Sequence, residues 1–148
     1  MRERENMNSE REAKTKWLSR GKPLRMRLIG LRAEHLERLS RADYTSIGRG
    51  NGHGRSNQNT TESKYIAIVE TEAEMLIAQK ELNKIESEVR DAIEQVKNPV
   101  YQTYLRMRFL AYQPERQIAA KMGYSFTYVD SHIRKKAIDA VKMPVNDC

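Results

Sequence analysis

Apolar positions along this chain recur at helical spacings, and nowhere does a strand-like alternation of apolar and polar residues persist. The most regular row is Ile68, Met75, Leu82, Val89 and Val96, each seven residues from the next. Thr71, Ala78, Ile85 and Ala92 fill the second heptad position, and Val69, Leu76, Ile77 and Ile93 widen the stripe. This pattern predicts a long amphipathic helix with a coiled-coil-like seam over 62–98. No glycine or proline falls between Thr61 and Asn98. Asn98-Pro99 ends the run, because the residue before a proline is driven out of the α region. At the usual rise the helix is about 55 Å long. A single helix cannot bury its own stripe, so it pairs with the N-terminal helix, with a second copy of itself as a homodimer, or with both.

Ahead of it, Trp17, Leu18, Leu24, Leu28, Leu31, His35, Leu36 and Leu39 recur at three, four and seven, which predicts a helix over 12–42. Arg20, Arg25, Arg27, Arg32, Arg38 and Arg41 fill much of its remaining surface, and Gly21 with Pro23 breaks or restarts it. Residues 1–11 alternate in charge and are expected to fray. Residues 45–61 hold four of the seven glycines and almost nothing apolar, the composition of a flexible linker. Gly50, Gly52 and Gly54 alternate, but no Gly-Lys-Ser/Thr follows and no apolar strand precedes, so this is no phosphate-binding loop.

Beyond Pro99 lie three shorter helical segments. Pro99 to Ala111 is the first. The second opens at Pro114 and stops at Gly123, and the third runs to Val141, capped by Ser125. Ala119, Gly123 and Val129 have the spacing of a helix-turn-helix. A small residue lets two helices cross closely, glycine takes the left-handed turn, and Ile118, Met122, Val129 and Ile133 lock the angle. On the third segment Phe126, Val129, Ile133, Ala137 and Ala140 share the side expected to be buried. Thr127, Tyr128, Ser131, Arg134 and Lys135 lie roughly opposite, with Asp130 at the flank. Hydroxyls, a guanidinium, an ammonium and a carboxylate are the groups that read base edges in a major groove. The candidate DNA-binding set is Arg116, Gln117, Ser125, Thr127, Tyr128, Asp130, Ser131, Arg134, Lys135 and Lys136, with Arg106, Arg108 and Lys121 near enough to meet phosphates. Arg134 is worth about 1–3 kcal/mol of discrimination if it contacts a base, whereas as a phosphate contact it would serve specific and random DNA equally. The chain thus divides into a basic helical arm (1–44), a linker (45–61), the heptad helix (62–98) and a DNA-binding domain (99–148).

Composition sharpens this picture. The 148 residues carry a net charge of +7, unevenly spread: +7 over 1–60, −4 over 61–98 and +4 over 99–148. Two basic ends can meet polyanions, while the acidic middle is repelled by them. With 39% hydrophobic and 32% charged residues, a large enzyme-like core is excluded. No run approaches the ~18 apolar residues of a membrane span, and the charged N-terminus is no signal peptide. The expected setting is the interior of a cell, with polyanions as candidate partners. One thiol, Cys148, makes neither an internal disulfide nor a cysteine-rich zinc site. His35, His53 and His132 lack partners at metal-ligand spacing. Glu70, Glu72, Glu74, Glu81, Glu86 and Glu88 lie mostly outside the seam, as a solvated face does. No nucleophile stands with a recognisable base, so no catalysis, cofactor or metal is expected.

The runs Pro99-Val-Tyr-Gln-Thr-Tyr-Leu-Arg-Met-Arg108-Phe109, Arg116-Gln-Ile-Ala119-Ala-Lys-Met-Gly123-Tyr-Ser125 and Ile133-Arg134-Lys-Lys136-Ala137-Ile138 resemble region 4 of bacterial sigma factors. More closely, they are similar to the ArpU-like late-gene transcriptional regulators of phages of Gram-positive bacteria. Gly123-Tyr124-Ser125 and Lys136-Ala137-Ile138 stand where that family has its Gly-Tyr-Ser turn and its Lys-Ala-Leu-like triplet. The family also carries a long amphipathic helical region ahead of its DNA-binding module. The resemblance implies an all-α fold, long helices followed by a sigma region 4-like helix-turn-helix, and promoter-proximal duplex DNA binding. It further implies switching on of packaging and lysis genes, with contact to host RNA polymerase. The stretch from Gly123 to Ala137 is one residue longer than in ordinary sigma region 4, which displaces groove-facing positions. Two other readings are a small-terminase-like packaging-site binder and a coiled-coil adaptor that binds protein and no DNA.

Overall fold

A computed structural model describes residues 2–47 and 54–144, with side chains over 2–42 and 61–144. Every element among the described residues is helical. Helix α1 (Arg2–Leu18) is followed by α2 (Gly21–Ile47) and α3 (Gly54–Glu94). Helix α4 (Pro99–Leu105) runs on into a π-helical turn, Arg106–Leu110. Then come α5 (Glu115–Met122) and α6 (Phe126–Tyr128), which passes through a second π-helical turn, Val129–Ile133, into α7 (Arg134–Ala140).

The expected interruption near Gly21 and Pro23 falls at Ser19–Arg20, between α1 and α2. The expected fraying of residues 1–11 is corrected: helix begins at Arg2. Of the expected linker 45–61, Thr45–Ile47 belong to α2 and Gly54–Thr61 to α3, while 48–53 lie outside the described residues.

The chain separates into two compact units, one built of Met1–Lys22 with Asn83–Cys148 and the other of Pro23–Leu82. In the Pro23–Leu82 unit the heptad seam finds its partner within the chain. Leu28 and Leu31 of α2 pack with Ala78 and Leu82 of α3, flanked by Leu24 and Met75. Polar contacts fix an antiparallel register. Arg32 Nη2 donates to Gln79 Oε1 at 3.0 Å, His35 Nε2 stands 3.6 Å from Glu72 Oε1, and Arg38 Nη1 donates to the Ala67 carbonyl and to Thr71 Oγ1. Thr71 is the one polar residue in the buried seam. Its hydroxyl donates to the Ala67 carbonyl at 2.8 Å, so it is satisfied there and sets the pairing, as a polar seam residue does. Of the residues expected to widen the stripe, Ile93 is buried, but Val69, Leu76 and Ile77 are exposed.

The other unit gathers Leu18 with Val89, Ala92, Ile93 and Val96 of the heptad stripe and with Tyr104, Leu105, Phe109, Ile118, Val129, Ile133, Ala137, Ile138 and Val141. The first helix thus belongs to the core of the C-terminal module, as do the last turns of the heptad helix. Arg11 grips Asp139 with two bonds, Nε to Oδ1 at 3.0 Å and Nη2 to Oδ2 at 2.7 Å, and Lys14 Nζ donates to the Asp139 carbonyl at 3.0 Å. Two cations so placed satisfy the C-terminal end of α7 and oppose its dipole. The bond to Asp139 raises the already high pKa of Arg11 further.

Candidate nucleic-acid interface

Asn98 begins the module, its side chain accepting from the Val100 and Tyr101 amides with Pro99 at the first helical position. Between α5 and α6 the chain turns at Gly123, which has φ +79°. That left-handed conformation suits glycine, and the Tyr124 amide donates back to the Ala119 carbonyl at 3.0 Å, closing the helix end. Ser125 then caps α6 by accepting from the Tyr128 amide at 3.1 Å. Ile118, Ala119, Val129 and Ile133 are all buried at this crossing, so the helix, glycine turn and helix read from the spacing are present.

The buried face of the last helix departs from the expected one. Phe126 and Ala140, expected inside, are exposed, and Ile138 and Val141 are buried with Val129, Ile133 and Ala137. For Ile138, Ala140 and Val141 the cause is the π-helical turn ahead of them, in which the Arg134 amide bonds the Val129 carbonyl five residues back. One extra residue in a turn rotates everything downstream by about 100°. Phe126 instead lies under the Arg116 guanidinium, 5.1 Å from the ring centroid, a cation–π contact.

The candidate residues separate into two groups. Arg116, Gln117, Ser125, Thr127, Tyr128, Ser131, Lys135 and Lys136 are exposed. Arg134 and Asp130 are half-buried and bound to each other, Nε to Oδ1 at 3.2 Å. Arg134 also stands 3.7 Å from Glu115 Oε1, which accepts from the buried Tyr104 hydroxyl at 2.8 Å. Tyr104, Glu115, Arg134 and Asp130 thus form one network tying α4, α5 and the last helix together. Burial, and then the bond to Glu115, pushes the Tyr104 phenol well above its usual 10.0. Arg134, a candidate base or phosphate contact, is thus engaged with two carboxylates.

Two features were not singled out from the sequence. Tyr124, Tyr128 and His132 form an exposed aromatic row, with successive ring centroids 5.2 Å apart. Their spacing of four was legible, and their exposure follows from Val129 and Ile133 facing the core. Beside α7 lies an open cleft of about 460 Å³ lined by Asn8, Arg11, Glu12, Thr15, Lys16, Arg134 and Lys135. Arg11 and Arg134 are engaged with carboxylates, whereas Lys16 and Lys135 form no ion pair among the described residues. No local sequence signal brings residues 8–16 to residues 134–135.

Among the described residues no three His, Cys, Asp or Glu side chains gather as metal ligands, and no helix is long and apolar enough to cross a membrane. Compared with protein-family models, with curated proteins and with solved structures, the chain finds no match.

Proposed function

We propose that this protein is a sequence-specific binder of duplex DNA that regulates transcription. Its helix-turn-helix of α5, Gly123 and the last helix lies in a major groove. The observation that carries this reading is the exposed row Thr127, Tyr128, Ser131 and Lys135 on a helix whose opposite side is locked into the core. Hydroxyls and an ammonium presented from a rigid element are suited to base edges, and Lys136, Arg116 and Lys16 are suited to flanking phosphates. The resemblance to ArpU-like regulators narrows the role to activation of phage packaging and lysis genes, alongside host RNA polymerase. In this role the protein acts by binding and carries no catalysis.

Selection from random duplexes tests it. An enriched site is expected, bound far more tightly than unselected DNA. Thr127→Ala and Ser131→Ala should each weaken binding to that site by about 1 kcal/mol or more while leaving binding to unselected DNA unchanged. Mapping of bound sites in the host separates promoters from a packaging site. Absence of retardation of every duplex at low salt overturns the proposal. The exposed tyrosines would then support the adaptor reading, since aromatic side chains anchor protein interfaces.

A further inference from the structure

Both helices of the Pro23–Leu82 unit carry a second apolar row. On α3, Ile66, Val69, Leu76 and Ile77 are 58 to 60% exposed, and on α2 Met26, Ile29 and Leu36 are 48 to 66% exposed. At about 100° per residue each row lies nearly opposite the buried seam positions of its own helix, Leu28 and Leu31 on α2 and Ile68, Ala78 and Leu82 on α3. A hairpin of two helices needs one stripe on each. Two opposed stripes are the pattern of a helix covered on both sides.

Charge says what covers them. Residues 23–42 hold five arginines and two glutamates, net +3, whereas residues 61–82 hold two lysines and five glutamates, net −3. Glu70, Glu74 and Glu81 of α3 form no ion pair among the described residues. Setting α2 of one copy against α3 of another joins opposite charges, while α2 on α2 or α3 on α3 joins like charges. We propose that this unit docks onto further copies of itself, the outer row of α2 in one copy against the outer row of α3 in the next. Seven such side chains at about 100 Å² each give about 700 Å² of apolar surface per contact. With the polar share usual for interfaces the total reaches about 1,200 Å², the lower bound for a specific interface. The contact is head-to-tail. Each copy therefore keeps one row open for another, and assembly proceeds past the dimer to a ring or an open chain.

The inference is independent of DNA binding, and its test uses the full chain without DNA. Light scattering at micromolar concentration should give a mass above that of a dimer. Leu36→Glu and Ile77→Glu disable the α2 and α3 rows respectively, and each variant alone should be monomeric. Mixed, they should form one-to-one pairs only, because the first keeps the α3 row and the second the α2 row. Unchanged helical circular dichroism verifies that both fold, and if either does not, Leu36→Ser and Ile77→Ser carry the same test. A monomeric wild type overturns the inference. So does a wild-type dimer that Ile77→Glu dissolves and Leu36→Glu leaves intact, which would mean that α3 pairs with α3.

Discussion

Tyr104 shows how one side chain can serve fold and site together. It is fully buried, and its hydroxyl donates to Glu115, which also faces Arg134. A buried phenol is favoured in its neutral form, so the folded protein holds that proton above pH 10 while the unfolded chain releases it. Folding stability contributed by this group is therefore present below pH 10 and falls as pH rises beyond it. In denaturant titrations Tyr104→Phe is expected to cost about 1–2 kcal/mol at neutral pH through loss of the hydrogen bond. Its stability should also fall less steeply above pH 10 than that of the wild type. An identical alkaline slope in both proteins would contradict the assignment. The same network engages Arg134, a candidate from sequence, with Glu115 of α5 and with Asp130 one turn before it. Spacing shows the pairing with Asp130 four residues back and says nothing of the carboxylate of Glu115, which reaches Arg134 from α5.

At the scale of elements, the sequence made the helices legible and left their partners only partly so. The seven-residue repeat marks the seam that is buried, Ile68, Leu82, Val89 and Val96 included. Proline, glycine and serine punctuation marks the ends of α4, α5 and α6, with Gly123 closing α5 and Ser125 capping α6. The π-helical turn at Val129–Ile133 has no such punctuation, and it moved Ala140 to the surface and Ile138 into the core. The docking of α1 was equally hidden, because Leu18 reads as part of any amphipathic helix until its neighbours are known. Leu18 is 1% exposed in the core around Ile93 and Tyr104. Leu18→Ala is expected to destabilise this unit by about 2–5 kcal/mol. Chemical denaturation followed through a C-terminal reporter checks it, and a cost below about 1 kcal/mol would detach α1 from that core.

At the scale of the whole molecule the net charge of +7 resolves into parts with separate tasks. The arginines of α2 bond α3 at Gln79, Ala67 and Thr71, and so stabilise the hairpin. Arg11 and Lys14 are spent on Asp139. Lys135 and Lys136 are exposed on the last helix and form no ion pair among the described residues. Affinity for unselected duplex should therefore fall with salt at a slope set by a few phosphates, each contributing about 0.9 to the logarithmic slope. Lys135→Ala with Lys136→Ala should flatten that slope by up to about 2 and leave the melting temperature within a few degrees. Retardation over a salt series decides it, and an unchanged slope would remove both lysines from the interface.

The grip of Arg11 and Lys14 on Asp139 also sets a schedule for the newborn chain. Leu18 and the residues around Ile138 share one core but are separated by most of the polypeptide. At ordinary synthesis rates about 6–24 s pass between their appearances. The Pro23–Leu82 hairpin is complete long before then and closes on contacts local to itself. The C-terminal module closes last, when its first helix is met by its final one. A ribosome-bound fragment ending near residue 110 should thus hold a formed hairpin and an unclosed C-terminal module.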